Sequence, residues 1–393
     1  MRILITNADY KHTLAAVRSL GKRRNVELTA ASHVKRSLSF YSKYCKNRAI
    51  YSNPADEHTF IRSLLEIIKN GNYDALLPIS FSVCTTIAKH QDEFKPYVKI
   101  PIASYESMQI ASDKNETIKF ALDNDIPIPK TIYPDSIKEV EKMSNEMKYP
   151  VVIKAPEECG SVKYANSARE LINLYRFTCD TYESQMAKGK LPQIQEYIRG
   201  NGYGFFALFN HGDPRALFAH KRLHEYPPTG GPSTMAQSFY DPALQELGLK
   251  ILTKLKWHGV AMVEFKKDAK SGELKLIEIN PKFWGSLDLA IASGVDFPYL
   301  ACKMCVEGDI EPVFKYNKNT IFRWIFPDLV YSLATNSLRE YIFNFFNKNI
   351  TDDLFLEDLK PTALQCYSTM IEIASRIKNE NLKYPHGKPE GMI

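Results

Sequence analysis

Glu264, Glu278 and Asn280 fall on two successive apolar runs joined by a short turn. Val260 to Phe265 and Leu274 to Ile279 read as a hairpin turning at Lys270-Ser271-Gly272. Alternate residues of a strand share a face, so Glu278 and Asn280 point together and Glu264 can sit beside them across the ladder. Carboxylates in apolar strands are costly to bury unless their charge is compensated. Two carboxylates and an amide oxygen are hard donors. They suit a magnesium ion that keeps several waters and bridges phosphates, and manganese accepts the same donors. A pair of exposed glutamates on a solvated face is the alternative; the flanking Val260-Ala261-Met262-Val263 and Leu276-Ile277 speak against it.

Cations fall in places that also ask for a partner. Lys154 ends the apolar run Pro150 to Ile153, so its ammonium must reach a cavity or an anion. Cys159-Gly160-Ser161 follows, a small-residue turn whose amides could meet phosphate. Lys114 follows Asp113 at a helix start, a common place for lysine. His220-Lys221-Arg222-Leu223-His224-Glu225 runs into Pro227-Pro228-Thr229-Gly230-Gly231-Pro232-Ser233. A basic strand end feeding a Gly-Pro loop has the texture of an anion-binding lid; a basic surface loop is the alternative.

The elements that must position these residues are α/β in character. Ile3 to Asn7, Val26 to Ala31 and Tyr73 to Pro78 read as strands, and Leu14 to Leu20 and Phe60 to Ile68 as helices between them. Such alternation predicts a parallel sheet covered by helices. Ligands of such sheets lie beyond the carboxyl ends of the strands, here Asn7-Ala8-Asp9 and Ile79-Ser80-Phe81-Ser82. No G-x-G-x-x-G follows the first strand, which excludes the dinucleotide fingerprint. From Pro101 the texture changes. Glu116 to Asn124 reads as a helix, Val151 to Lys154 and Gln193 to Ile198 as strands, and Phe205 to Phe209 with Ala216 to His220 as a hairpin. Pro242 to Lys256 reads as an amphipathic helix, and the tail from Asn317 as mostly helical.

Composition narrows the class. The 393 residues are 44% hydrophobic and 24% charged, as in a folded chain of two or three domains. The charge sum of 51 − 45 = +6 is too small to predict a nucleic-acid partner, and Lys22-Arg23-Arg24 reads as a solvated helix end. Seven scattered cysteines and the absence of a signal-like start predict a reducing, cytoplasmic setting. Cys302 and Cys305 form a lone C-x-x-C, read as core and not as metal. No run is long and apolar enough to predict a transmembrane segment. The stripe Arg339 to Phe346 could meet a membrane or a partner, but is read as packing on its own chain.

Taken in order, Asp113-Lys114, Val151-Val152-Ile153-Lys154, Gln195-Glu196-Tyr197-Ile198-Arg199-Gly200, Lys221-Arg222, Val263-Glu264 and Glu278-Ile279-Asn280-Pro281 resemble the ATP-grasp superfamily. The resemblance spans about Ser104 to Glu311. The segment Glu278 to Ser286 is similar to its stand-alone carbamoyl-phosphate-synthase-like, carboxylate–amine ligase branch. It implies a pre-ATP-grasp α/β domain over 1–105, an ATP-grasp module of two clasping α+β subdomains over 106–316 with its lid subdomain at about 135–200, and a helical extension over 317–393.

The roles implied are specific. Lys114 and Lys154 would contact ATP phosphates, and Glu196, Tyr197 and Ile198 would hold adenine. Gly160 and Ser161 would belong to a phosphate loop, and Glu264, Glu278 and Asn280 would hold magnesium. Arg222 would stabilise the transferring phosphoryl group, with Lys282 standing where the family often has arginine. Ser286, Asn7 and Ser80 could border the acceptor. Where many members carry a ribose-binding glutamate, this chain has Asn201-Gly202-Tyr203-Gly204. The activity implied is a ligase that activates a carboxylate as an acyl phosphate and joins it to an amine. Its partners would be these two small molecules, and a homodimer is one arrangement open to it. Alternatives are a carboxylation-type or kinase-type acceptor, a nucleotide sensor or scaffold without turnover, and a membrane-associated assembly protein using its tail.

Overall fold

Ile3, Leu4 and Ile5 are fully buried because β1 (Arg2–Ile5) is an inner strand of a parallel sheet. It lies between β2 (Glu27–Ser32) and β4 (Ala75–Leu77), with β3 (Asn47–Ile50) beyond β2. The helices Lys11–Gly21 and Glu57–Gly71 belong to its crossovers. The second starts earlier than its apolar periodicity suggests, because the Asp56 side chain caps it by accepting from the Thr59 N–H. The computed structural model describes residues 1–155, 162–183, 189, 191–379, 381–385 and 388–389.

A second sheet is antiparallel, in the order β5-β8-β6-β7. Its strands are β5 (Thr131–Ile132), β6 (Val151–Lys154), β7 (Val162–Ala165) and β8 (Gln193–Glu196). The helix Ala168–Thr181 covers it, and Val140, Val151, Ile153, Ala165, Leu171, Tyr175, Cys179 and Ile194 form a core of its own.

The largest sheet has seven strands in the order β13-β12-β9-β10-β11-β14-β15. These are β9 (Gly202–Asn210), β10 (Asp213–Glu225), β11 (Ser233–Ser238), β12 (Gly259–Lys267), β13 (Leu274–Asn280), β14 (Ile321–Arg323) and β15 (Ile350–Asp352). The unbroken run Phe205 to Phe209 is apolar because this stretch of sheet is covered on both faces. Phe205, Ala207 and Phe209 share one core with Leu4 and Leu76, and Phe206 and Leu208 share another with Ile3 and Ile5. The amino-terminal sheet and the large sheet are thus packed through common cores.

The carboxyl-terminal part is mostly helical, with helices Ile325–Thr335, Leu338–Asn344 and Leu359–Lys378, but β14 and β15 within it extend the large sheet. The stripe Arg339 to Phe346 departs from expectation. Ile342, Phe343, Phe345 and Phe346 are exposed, Phe346 by 79%. Only one short helix carries the stripe, and its single buried residue is Tyr341, whose hydroxyl donates to the Ile325 carbonyl. Of the basic run, Arg23 pairs with Asp296 and Lys22 with Glu357. Among the described residues, no helix is long and apolar enough to cross a membrane. No group of three or more His, Cys, Asp or Glu comes together there to hold a metal. Cys302 is fully buried on the helix Phe297–Glu307, and burial pushes the Cys305 thiol up to about 12.

Candidate functional site

A cavity of about 330 Å³ opens between the small antiparallel sheet and the large one. Its floor draws His220, Glu264 and Glu278 from one row of cross-strand partners. Ser238 on β11 lies opposite His220 on β10, His220 opposite Gly204 on β9, Gly204 opposite Glu264 on β12, and Glu264 opposite Glu278 on β13. The register therefore makes the two glutamates direct neighbours, and Asn280 pairs with Met262 one step along the same face.

The glycines of β9 give this floor its shape. A Cβ on Gly204 would lie 2.9 Å from His220 Cδ2 and 2.5 Å from Phe206 Cζ; one on Gly202 would lie 3.0 Å from Arg222 Cδ. With no side chain there, Arg222 crosses the strand. Its Nη2 donates to Glu264 Oε2 at 2.5 Å, and its Nη1 donates to Glu225 Oε2 and the Gly231 carbonyl. Gly202 and Gly204 thus give the segment Asn201 to Gly204 a steric purpose that the sequence left open.

The electrostatics are those of buried opposite charges. Burial raises the Glu264 carboxyl, with Arg222 opposing it. Burial also acts on Glu278, but Lys114, the Asn280 amide and Lys154 outweigh it and hold that carboxyl low. Burial works against charge on Arg222, yet Glu264 and Glu225 keep its guanidinium firmly protonated. Lys154 is 6% exposed, donates to Gln195 Oε1 at 2.8 Å, and is brought down to about 8 by burial.

Two facing carboxylates and an amide form a hard donor set of the kind magnesium takes. Protein donors also reach these oxygens: Arg222 donates to Glu264, and Asn280 Nδ2 to Glu278 Oε1 at 2.8 Å. The residues fit the ion.

Lys114, Lys154, Glu196, Tyr197, Ile198, Arg222, Glu264, Glu278, Asn280, Lys282 and Ser286 all line the cavity. The Glu196 carboxylate is already engaged, its Oε1 accepting from Lys275 Nζ at 2.7 Å and from the Lys130 N–H at 3.0 Å. Asn7 and Ser80 do not line it. Asn7 Oδ1 accepts from the Thr6 hydroxyl and the Ser80 N–H, which ties the ends of β1 and β4 together. Gly160 and Ser161 lie outside the described residues. His220, Tyr164, Gln195, Lys266 and Trp284 also face the cavity, though the resemblance implies no individual role for them. Period-two counting would have reached some of them, since Lys266 shares Glu264's face and His220 shares that of Arg222.

A family model for ATP-grasp proteins "in the biosynthetic pathway with Ter operon" matches residues 212–325, which hold β10 to β14 and both glutamates. The biotin carboxylase of Campylobacter jejuni, solved with an ATP ligand, superposes with a TM-score of 0.66 at 18% identity, covering 81% of this chain and 74% of that one. The chain has the ATP-grasp fold. The L-amino acid ligase of Bacillus licheniformis superposes with a TM-score of 0.60 at 15% identity, over 79% of this chain and 77% of that one. In sequence, this chain is 23% identical over 303 residues to the carbamoyl phosphate synthase large chain of Methanothermobacter thermautotrophicus. That match covers 66% of this chain but only 27% of the relative, so the chain spans about a quarter of its length.

Proposed function

We propose that this chain is an ATP- and magnesium-dependent ligase that activates a carboxylate as an acyl phosphate and joins it to an amine. The observation that carries the reading is the direct pairing of Glu264 with Glu278 on the floor of a cavity that also holds Lys114, Lys154 and Arg222. Lys114 and Lys154 hold the phosphates of ATP, and Tyr197 and Ile198 border adenine from the β8 edge. Glu196, tied to Lys275, shapes that edge. Glu264, Glu278 and Asn280 hold magnesium, which neutralises charge on the phosphates when bound.

A carboxylate oxygen of the substrate attacks the γ-phosphorus. The bond to the bridging oxygen breaks, and ADP leaves with that electron pair. Arg222 lies along the floor and meets the charge spread over the transferring group, with Lys282 beyond it. The amine then attacks the acyl carbon, phosphate leaves, and the amine loses a proton. The roof segment Pro227 to Ser233 keeps water from the acyl phosphate. We take residues 106–316 as the unit that holds the nucleotide site, with 1–105 and 317–393 as the units that support it.

The names of relatives favour two acceptors. The amino acid ligase supports an amine; the biotin carboxylase supports a carboxylation-type reaction as the second reading. Phosphate release from ATP and magnesium against pooled carboxylates, with and without pooled amines, separates them. Release that needs both pools is the expected result. Release driven by bicarbonate without any amine would replace the ligase by the carboxylation reading. ATP binding with silence in every pool would favour a nucleotide sensor.

A further inference from the structure

The role of the carboxyl-terminal extension is legible in where its polar contacts go. The segment Tyr226 to Ser233 joins β10 to β11 and roofs the cavity through Pro227, Gly230, Gly231, Pro232 and Ser233. Both flanks of this roof are tied to the extension. On the upstream side, His224 Nδ1 donates to Asp328 Oδ1 at 2.8 Å, and its ring stacks on Tyr331 with centroids 4.3 Å apart. On the downstream side, the Thr234 hydroxyl donates to the same Asp328 oxygen at 2.9 Å. Asp328 is fully buried, a costly place for a carboxylate whose only task is to fill space. Between them, the Tyr226 hydroxyl donates to the Leu382 carbonyl at 2.7 Å, Arg376 lies over its ring, and Val330, Ala334 and Ile373 pack around it.

The extension is itself anchored. Asp358 accepts from Arg18 Nε at 2.9 Å and from Ser42 and the Lys43 N–H, all on the amino-terminal domain. The roof's inner side meets the nucleotide site. Tyr164 on β7 donates to the Thr229 carbonyl at 2.6 Å, and Arg222 Nη1 donates to the Gly231 carbonyl at 2.8 Å. One buried carboxylate thus holds both ends of a loop whose middle positions Arg222.

We propose that the carboxyl-terminal extension is a brace that fixes the roof of the nucleotide cavity, with His224, Tyr226 and Asp328 as positioning residues. The proposal rests on the nucleotide reading of the cavity. The brace ties the roof to the amino-terminal domain through Asp358, so the Gly231 carbonyl stays where Arg222 needs it. None of the three residues lines the cavity.

Amide hydrogen exchange of the full chain without nucleotide, together with calorimetric titration of ATP and magnesium, tests it. Asp328→Ala should raise exchange at residues 229–231 by about tenfold or more while the strands β1 and β9 stay protected. ATP affinity should fall by about tenfold in the same variant. Asp328→Asn keeps an oxygen that accepts from His224 and Thr234, and should restore both readouts. Tyr226→Phe removes one hydroxyl and serves if Asp328→Ala does not fold; it should show the same local loss in smaller measure. Exchange that is unchanged in both variants, or raised evenly through the fold, would overturn the brace, as would a local rise with ATP affinity intact. Absence of ATP binding by the unaltered chain would sink the nucleotide reading and the brace's role in it. The exchange arm, read without nucleotide, tells that failure apart from a brace that does not hold the loop.

Discussion

The two sheets that face each other across the cavity are built differently. Among the described residues, the small sheet of β5 to β8 packs on eight buried side chains of its own, and the large sheet shares its cores with the amino-terminal sheet. The small sheet contributes Lys154, Gln195 and Glu196; the large one contributes the paired glutamates and Arg222. The charges proposed to meet the metal and the moving phosphoryl group therefore stand on the better-buried frame. Of the groups proposed to hold the nucleotide, Lys154 and the β8 edge stand on a light sheet with a local core, suited to local opening. Chemistry needs the tighter geometry, and binding and release need the looser one.

Breaking the rigid side should have the largest effect. Glu278→Ala is expected to lower magnesium-dependent ATP turnover by at least about a hundredfold while the fold survives; a coupled assay for ADP alongside circular dichroism checks both. Full turnover in a folded variant would mean that the metal set is misassigned. Next comes Arg222→Lys, which keeps the charge and loses the two-pronged reach to Glu264 and Gly231. Its kcat should fall by about tenfold to a hundredfold with ATP affinity within about threefold, since the contact belongs to the transition state. Equal losses in both would return Arg222 to ground-state binding.

On the looser side, pH is the probe. Burial brings the Lys154 ammonium down to about 8, and its charged form is the one that meets phosphate. Affinity for ATP, titrated in EDTA, should therefore be full near pH 7 and fall by about tenfold by pH 9 as the proton is lost. A flat profile would remove Lys154 from the phosphate site. Leu171→Ala strikes the small core itself. It should cost about 2–5 kcal/mol there and split off an early transition in scanning calorimetry; one unshifted transition would show that the small sheet melts with the rest. The smallest effect is expected at the exposed stripe: Phe346→Ser should change stability by less than about 0.5 kcal/mol, as read from urea unfolding.

How much of this was legible in the sequence follows from the range of the forces involved. Period-two alternation fixes faces, so the hairpin predicted the Glu264–Glu278 neighbourhood that the register shows. The strand-ending lysine pointed to a cavity because burial of an ammonium is a local cost. Asn7 and Ser80 were placed at the right end of the right strands, but which way they hydrogen-bond depends on each other, 73 residues apart. The glycines of β9 looked like a missing ribose contact; only the tertiary path of Arg222 explains them. The exposed stripe failed for a related reason, since apolar spacing marks a face without saying whether anything covers it.

The parallel pairing of β15 on β14 bears on anyone who would trim this chain to the part proposed to bind nucleotide. A chain stopped at residue 316 would end the large sheet at β11, leaving the positions of Met235, Ala236 and Gln237 that pair with β14 as an open edge. Bare sheet edges recruit other strands. Aggregation, or filament-like self-association of the trimmed protein, is then the expected outcome in the test tube, quite apart from any loss of activity.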